Sequence, residues 1–424
     1  MLVVNQQEKP ILKFPPHFLW GASSSAHQVE GGNHNQWSVW ELENAKALAS
    51  MAKSQANYLP KWDEIEAQAT NPHNYVSGEA TDHYHRYKED FLLLKKLNMN
   101  SWRFSIEWSR IEPEEGAWNA EAIEHYRTYL QTLQKIGVEP IVTLWHWTVP
   151  VWFEQKGGWT KRQNIAYFVR FAQKVFEELG REFSYVITLN EPEVYVAKSF
   201  LTADWPPQQR SRLKAYRVLA NLIKAHKRVY KMAKKLGRKF KISIAKNTAH
   251  HYAGDDSILS RANAGLMRWV QDYFTLNRVN KTTDFIGLNY YFSNRYYGMR
   301  MHNPNTKVND LGWDMQPANI QYVLEDLADR YEKPIIITEN GLADADDEYR
   351  QWWLGQTLMA MHRAIQNGVK LQGYLHWSLT DNFEWSSGFW PRFGLAKVDY
   401  NTKKRTLRPS AIWFAGVIKK LRQS

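Results

Sequence analysis

Two glutamates each follow a run of apolar, β-rich residues, a position suited to acid–base and nucleophilic chemistry. Glu191 follows the run 185–189 in the motif Thr-Leu-Asn-Glu-Pro, where the proline ends strand pairing. Glu339 follows the run 335–338 in the motif Ile-Thr-Glu-Asn-Gly, where Gly341 permits a tight turn. Glycosidic cleavage needs two carboxyl groups, one to protonate the leaving oxygen and one to attack or to activate water. Each glutamate alone also fits a surface loop, and only the pair favours this chemistry.

The separation of the two carboxyl groups decides the stereochemistry of such a reaction. A gap of about 5–5.5 Å gives a covalent intermediate and retention, whereas a wider gap admits water and gives inversion. The sequence leaves this choice open, because the two glutamates lie far apart in the chain.

The two runs belong to a series of short apolar segments that predict buried strands. The segments are 18–22, 101–106, 140–144, 185–189, 242–245, 285–288, 335–338 and 371–375. Amphipathic stretches between them predict helices over 82–97, 121–136, 162–179, 212–236, 320–331 and 349–367. Strands alternating with helices predict an α/β protein with a parallel (β/α)8 TIM barrel. No linker rich in Pro, Gly or Ser interrupts the 424 residues, so a single domain over 1–424 is expected.

Polar residues stand at the carboxyl ends of these predicted strands, where barrels of this kind carry their chemistry. They are Gln28, Arg103, Glu107, His146, Asn190, Glu191, Asn289, Tyr291, Glu339 and Trp377. The sequence therefore predicts that the two glutamates of strands four and seven face each other across the barrel mouth.

Composition excludes several other kinds of chemistry. The chain has no cysteine, which rules out disulfides, thiol catalysis and cysteine-ligated metals. No His or carboxylate cluster has metal-ligand spacing, and neither a metal nor another cofactor is predicted. The twenty tryptophans slightly favour a sugar site, because indole faces stack on the apolar faces of sugar rings.

The net charge of +12 is the main feature that fits a different class of partner. A basic surface can bind nucleic acid, but here the basic residues fall on predicted helix faces such as 224–238, and no nucleic-acid-binding motif accompanies them. No nucleic-acid partner is therefore predicted. No apolar run is long enough to span a membrane, and residues 1–16 do not resemble a secretory signal, so the expected location is the cytoplasm.

The two glutamate motifs, in their order and spacing, resemble the acid/base and nucleophile signatures of glycoside hydrolase family 1. This is the family of β-glucosidases and β-galactosidases, and the resemblance extends from Phe18 to about Pro409. It implies retention of configuration, with Glu191 as the general acid/base and Glu339 as the nucleophile.

Three further residues match positions around the family's catalytic pair. Arg103, in Trp-Arg-Phe-Ser, matches an arginine beside the nucleophile, where a fixed cation would pair with the carboxylate of Glu339. Tyr291 matches a tyrosine that hydrogen-bonds the nucleophile, and Asn190 is expected to bond the 2-hydroxyl of the sugar. The charge of Glu339 is expected to raise the pKa of Glu191 until glycosylation removes that charge.

The resemblance also implies a set of sugar-binding residues. Gln28 matches a glutamine for the 3- and 4-hydroxyls, and Glu384 matches a glutamate for the 4- and 6-hydroxyls. The aromatic and remaining polar members of the set are His146, Trp147, Asn289, Trp313, Trp377 and Trp385. Within it, Trp377 is the expected platform under the ring, and Trp313 the expected contact to the leaving group. A carboxylate at Glu384 would repel a phosphate on the 6-position, which disfavours 6-phosphorylated sugars.

Three segments depart from the family pattern. The segment 199–207 lacks the usual His-Ala-Pro-Gly, and Trp205 is expected to line the entrance instead. The segment 250–283 is shorter than in typical members, which predicts a reduced helix and a thinner barrel wall. The segment 41–80 is a longer polar insertion, which predicts a helical flap.

The leading hypothesis is a retaining β-glycosidase acting on terminal β-D-glucosyl residues, with some activity on β-D-galactosyl or β-D-fucosyl residues. Its substrate is expected to be a β-linked oligosaccharide or an aryl or alkyl β-glycoside. A β-mannosidase or a transglycosylase of the same family remains an alternative, as does a non-catalytic sugar-binding barrel. The sequence leaves the oligomeric state open.

Overall fold

A closed ring of eight parallel strands forms the centre of the molecule in the computed structural model, which describes residues 12–423. The strands in this part of the chain are β1 Leu19–Ser23, β2 Ser101–Ser105, β3 Glu139–Thr143, β4 Tyr185–Asn190, β5 Lys241–Ala253, β6 Ile286–Tyr297, β7 Arg300–Met301, β8 Ile335–Asn340, β9 Leu371–Trp377, β10 Ala396–Val398 and β11 Arg405–Leu407. The ring runs β1-β2-β3-β4-β5-β6-β8-β9 and closes because β9 pairs with β1. The predicted barrel is therefore confirmed.

Helices surround this ring and connect its strands. The α-helices in the described residues are Ala26–Val29, Gln36–Ala56, Trp62–Ala69, His83–Lys96, Trp108–Ile111, Ala120–Lys135, Val151–Gln155, Ile165–Leu179, Pro192–Val196, Arg212–Lys235, Ile258–Arg268, Phe274–Val279, Ile320–Tyr331, Arg350–Gln366 and Pro409–Leu421. Short 3-10 turns lie at Pro72–Tyr75, Gly158–Thr160, Arg162–Asn164, Asn280–Thr282, Pro317–Asn319 and Trp385–Ser387, and π-helical turns at Ala197–Leu201 and Trp269–Tyr273. Within this region no helix has the length and apolar character needed to cross a membrane.

The predicted elements agree with these bounds to within a few residues, with two differences. Strands β5 and β6 run well past the predicted ends and continue to pair beyond the barrel rim, where His251 lies opposite Asn294. The segment after β5, for which a reduced helix was expected, is helical throughout 258–282.

The barrel is filled by apolar side chains that its strands direct into the interior. Ile141, Ile187 and Ile336 are fully buried there, together with Ala245 and Leu375. A larger apolar core lies between the strands and the outer helices, as expected for strands that are covered on both sides. Packing on both sides holds the carboxyl ends of the strands rigidly, which is what a precise site needs.

The predicted helical flap is present and lies over the loops at the carboxyl end of the barrel. We call residues 36–75 the helical cover. Lys61 of the cover pairs with Asp346 at 2.6 Å and lies 3.5 Å from Asp310. The amide of Asn74 donates to the carbonyl of Ser387 at 3.0 Å. The cover is thus fastened to three separate rim loops.

Candidate active site

Glu339 lies near the carboxyl end of β8, a strand whose six residues are all buried. One oxygen of its carboxylate contacts the guanidinium of Arg103, and the other accepts a hydrogen bond from the Tyr291 hydroxyl at 2.7 Å. Both oxygens are thereby oriented before any substrate binds. The structure brings together the three residues that the sequence predicted to meet here.

Arg103 is fully buried at the centre of β2, and its guanidinium is held from several sides. Its Nε donates to the Thr143 hydroxyl at 3.0 Å, and its Nη2 donates to Asn190 Oδ1 at 2.7 Å. A buried ion pair is tolerated when further hydrogen bonds satisfy its partners, and these contacts meet that condition for the pair with Glu339.

Glu191 follows β4 directly and adopts a left-handed backbone conformation with φ of 41°. Such a conformation is uncommon for a residue with a side chain and occurs most often at functional sites. Its Oε1 accepts hydrogen bonds from the amides of Asn289 at 2.7 Å and Asn247 at 3.3 Å. The strained turn and the two amides together aim the carboxyl into the cavity.

The pKa of Glu191 is strongly perturbed. Burial and, to a smaller extent, the charge of Glu339 raise this pKa, the hydrogen bonds from Asn289 and Asn247 lower it, and the net value is about 8. The charge of Glu339 acts in the direction that the sequence predicted, but burial is the larger cause. In the free protein at neutral pH, Glu191 is therefore mainly protonated and able to donate a proton.

The opposite end of the cavity combines a carboxyl, an amide and aromatic rings. Burial, with the charges of Glu339 and Glu191, raises the pKa of the Glu384 carboxyl to about 8. Gln28 donates to the Phe383 carbonyl at 2.8 Å and approaches Glu384 Oε2 at 3.4 Å. The grouping offers polar groups beside a flat apolar wall, which suits a sugar ring.

His146 lines the cavity, and one of its ring nitrogens has no hydrogen-bond partner in the described residues. Its Nε2 faces the side-chain amide of Asn190 at 3.1 Å, whereas its Nδ1 is buried and has no hydrogen-bond partner in the described part of the chain. Burial and the charge of Arg103 lower the pKa of His146 well below its usual value, so the ring is neutral. Because Nε2 accepts from the amide, Nδ1 carries the proton.

Aromatic rings form a stack behind these polar groups. His146 lies nearly parallel to Trp377 and to Trp385, at ring distances of 5.9 and 6.1 Å. The predicted entrance residue Trp205 is instead buried, and it packs against Trp147 at 4.7 Å. Trp205 therefore lines the cavity from within rather than from an exposed rim.

One cavity of about 720 Å³ unites most of the predicted site. Its walls include ten of the thirteen predicted site residues, namely Gln28, His146, Trp147, Glu191, Tyr291, Trp313, Glu339, Trp377, Glu384 and Trp385. Arg103, Asn190 and Asn289 are fully buried behind this wall. The volume lies within the usual range for small-molecule sites.

The surroundings of Asn289 differ from those expected of a sugar-binding residue. Its Nδ2 donates to Glu191, and its Oδ1 accepts from the Thr338 hydroxyl at 2.6 Å. With both ends of its amide engaged, Asn289 orients Glu191. A direct contact between Asn289 and sugar stays a prediction.

Two structural requirements were missed or misread in the sequence. Asn247 follows the predicted strand 242–245, the one strand after which no polar residue was singled out, and the same spacing rule would have found it. Gly341 does not have a positive φ, so the expected tight turn is not its role. A Cβ at Gly341 would instead lie 1.7 Å from the Trp377 carbonyl oxygen, because the ends of β8 and β9 approach closely there.

Comparison with known sequences identifies the protein family to which the chain belongs. The model of glycosyl hydrolase family 1 matches residues 11–276 and 271–423. The chain belongs to this family. It is therefore an O-glycosyl hydrolase, and the family predicted from the two glutamate motifs is confirmed.

Individual family 1 proteins resemble the chain over nearly its whole length. A β-glucosidase A of Thermotoga maritima is 31% identical, and the match covers 96% of this chain and 98% of that protein. The structure of a β-glycosidase from Pyrococcus horikoshii superposes with a TM-score of 0.84 at 34% identity, covering 96% of this chain and 95% of that one. A β-glucosidase from Thermotoga maritima in complex with glucoimidazole gives a TM-score of 0.85 at 28% identity, covering 96% and 99%.

Proposed function

We propose that this family 1 member is a retaining β-glycosidase that removes terminal β-D-glucosyl residues. It is also proposed to act on terminal β-D-galactosyl or β-D-fucosyl residues. The observation that carries the proposal is the contrast between two carboxyl groups in one cavity. Glu339 is paired with Arg103, whereas burial raises the pKa of Glu191 to about 8. Two carboxyl groups with such different surroundings divide the roles of nucleophile and acid.

In the first step, Glu339 attacks the anomeric carbon and forms a glycosyl ester. The bond to the leaving oxygen breaks as Glu191 transfers its proton to that oxygen. The hydroxyl of Tyr291 holds Glu339 Oε2 at 2.7 Å, which keeps the attacking carboxylate in one orientation. Arg103 positions the other oxygen of the same carboxylate and also donates a hydrogen bond to Asn190 Oδ1.

In the second step, water replaces the departed alcohol. Glu339 has lost its charge to the ester, so one of the two causes that raise the pKa of Glu191 is gone. Glu191 then takes a proton from the water, the water oxygen attacks the anomeric carbon, and Glu339 leaves as a carboxylate. Two inversions at the same carbon give net retention.

The sugar is recognised at the end of the cavity that holds Glu384. The carboxyl of Glu384, the side chain of Gln28 and the ring of His146 line the cavity there and are the groups proposed to meet the hydroxyls. A charged phosphate on the sugar would have to leave water and lie against the buried carboxyl of Glu384, which costs free energy, so unphosphorylated sugars are the proposed substrates.

A panel of nitrophenyl β-glycosides tests this function. The panel contains glucoside, galactoside, fucoside, mannoside and 6-phosphoglucoside, and the enzymes are wild type, Glu191→Gln and Glu339→Gln. We expect the highest kcat/KM for the glucoside and none measurable for the phosphoglucoside. Glu339→Gln should lose nearly all activity, whereas added azide should restore the second step of Glu191→Gln and yield β-glucosyl azide.

The exposed Glu43 gives a matched control, because Glu43→Gln removes one carboxyl outside the cavity. Equal rates for wild type and both cavity variants would contradict the assignment of the two glutamates. Preference for the mannoside would favour a β-mannosidase, and an α-configured azide product would contradict retention.

A further inference from the structure

A buried lysine lies at the end of the barrel that carries the two catalytic glutamates. Lys246 belongs to β5, and it is the one fully buried lysine among residues 12–423. It lines the same cavity as Glu191. Lysine is almost never fully buried unless it is paired. The two-step reaction described above gives this cation no role, so its partners need an explanation.

The ammonium group of Lys246 has two close oxygen partners. Its Nζ donates to the backbone carbonyl of Asn247 at 2.6 Å and lies 3.5 Å from Glu193 Oε2. Neither carboxylate oxygen of Glu193 has a hydrogen-bond partner among the described residues, and Lys246 is the cation that pairs with it there. A buried cation is tolerated when a carboxylate and further hydrogen bonds offset its desolvation, and these contacts meet that condition.

Lys246 is connected to Glu191 through the next residue of β5. The side chain of Asn247 donates to Glu191 Oε1 at 3.3 Å and accepts from the Gln271 amide at 3.3 Å, while its backbone carbonyl accepts from Lys246. Burial raises the pKa of Glu191, whereas the charge of Lys246 lowers it. Consecutive residues of one strand therefore supply an amide that orients the carboxyl and a cation that favours its ionised form.

The other titratable groups around Lys246 do not cancel its charge at neutral pH. Burial raises the pKa of Asp272 to about 8, although the charge of Lys246 opposes this shift, so Asp272 is mainly protonated. Burial and the charge of Arg268 lower the pKa of His251 to about 3, so the His251 ring is neutral. Arg268 itself lies 3.6 Å from Asp326.

Glu191 also faces groups on other elements, and one of them changes its charge during the reaction. Glu339 is paired with Arg103 in the free protein, but it is an uncharged ester in the intermediate. Glu384 and Tyr291 are mainly protonated at neutral pH, because burial raises the pKa of Glu384 to about 8 and that of Tyr291 well above its usual value. In the intermediate, Arg103 has lost its partner and joins the lysine as a cation that favours an ionised Glu191.

We propose that Lys246 is a positioning residue for the second step, in which its ammonium group favours the ionised form of Glu191 that accepts a proton from water. The inference rests on the proposed function and adds a residue to it. In that step the proton moves from water to Glu191, the water oxygen bonds to the anomeric carbon, and the ester bond to Glu339 breaks. Lys246 exchanges no atom, and its ion pair with Glu193 determines how much of its charge acts on Glu191.

Two substitutions that break the same ion pair test the proposal, because their expected effects have opposite signs. Lys246→Met removes the cation, whereas Glu193→Gln keeps the cation and removes its partner. The alkaline limb of kcat/KM for nitrophenyl β-glucoside reports the acid form of Glu191 in the free enzyme. The acidic limb of kcat for 2,4-dinitrophenyl β-glucoside, whose leaving group needs little protonation, reports its base form in the second step.

Both limbs are expected to move together in each variant. Lys246→Met should raise the midpoint of both limbs by roughly half a pH unit, and Glu193→Gln should lower both by a similar amount. On the acidic side of its midpoint, the second step of Lys246→Met should therefore be about threefold slower than in the wild type. A purely structural role would lower rates at every pH and leave both midpoints where they are.

Two further variants and a melt control for charge and folding. Lys246→Arg keeps a cation at this position and is expected to return both midpoints towards the wild-type values. Lys241→Met removes an exposed cation from the first residue of the same strand, outside the cavity, and should leave both midpoints unchanged. Thermal melts of every variant separate loss of the fold from a change in titration.

The outcomes distinguish the two proposals. Unmoved midpoints in folded Lys246→Met, or midpoints that move in the same direction in both pair variants, would overturn the role of Lys246, while glucoside hydrolysis by the wild type still supports the glycosidase. If Lys246→Met does not fold, Glu193→Gln decides, and midpoints at or above those of the wild type would overturn the role. No hydrolysis of either glucoside by the wild type would instead contradict the proposed function.

Discussion

Replacing Glu191 with glutamine is expected to stabilise the folded protein, by an amount that grows with pH. The pKa of Glu191 is about 8 in the folded protein, chiefly because of burial, against 4.5 for an unperturbed glutamate. Between these two values the unfolded chain releases a proton that the folded chain retains, so stability falls as pH rises. Glutamine has no charge to bury, and its amide oxygen can still accept from Asn289 and Asn247.

The size of the effect follows from the two pKa values. The stability lost through Glu191 is about 1 kcal/mol at about pH 5 and about 3 kcal/mol at about pH 7. For a chain of 424 residues, about 3 kcal/mol corresponds to a rise in Tm of roughly 3 °C. The gain should level off above about pH 8, where the folded protein also releases the proton.

Thermal melts of wild type and Glu191→Gln, taken at several pH values, measure this difference directly. Glu43→Gln serves as the control for removing one carboxyl from an exposed position. A gain in Tm that stays constant between about pH 5 and about pH 8, or a loss of stability at neutral pH, would refute the reasoning. Either result would mean that burial does not raise the pKa of Glu191 and does not lower the stability of the folded protein as pH rises.

Three further outcomes follow from the same geometry. Because Glu191 must be protonated for the first step, kcat/KM should fall tenfold per pH unit above about pH 8, and a pH profile of nitrophenyl glucoside hydrolysis measures this. Tyr291→Phe removes one hydrogen bond to Glu339 and should lower kcat by about tenfold or more, with a smaller change in KM, in steady-state kinetics. Gly341→Ala should lower Tm by several degrees, since its Cβ meets the Trp377 carbonyl, whereas Gly416→Ala, with open space around it, should not.

The barrel was predictable because its signals are local and repeat along the chain. Runs such as 335–338 are short, apolar and β-branched, and residues after them are polar, so both the strand and the end that carries chemistry can be found. The helix predicted over 320–331 has these same bounds in the structure, since its apolar spacing is regular.

Other features depend on contacts between distant parts of the chain. The role of Gly341 reflects the approach of two strand ends, and nothing near it in sequence records how close the Trp377 carbonyl lies. The dominance of burial in the pKa of Glu191 depends on packing from several elements. Likewise, Asn289 was grouped with the sugar ligands, because its position after a strand does not reveal which way its amide points.

The helical cover has a consequence for any attempt to reduce this protein to a bare barrel. Its Trp37 packs edge-on against Trp385 at 4.5 Å, and its Glu41 lies 3.4 Å from His27, whose ring stacks on Trp385 from behind. The helical cover lies outside the repeating pattern of barrel strands and helices. It nevertheless supports Trp385, one of the aromatic residues that line the cavity. A truncated chain that lacks the helical cover is expected to keep its barrel strands but to bind glucose more weakly. Variants with shortened loops, and chimeras with other family members, should therefore keep residues 36–75 intact.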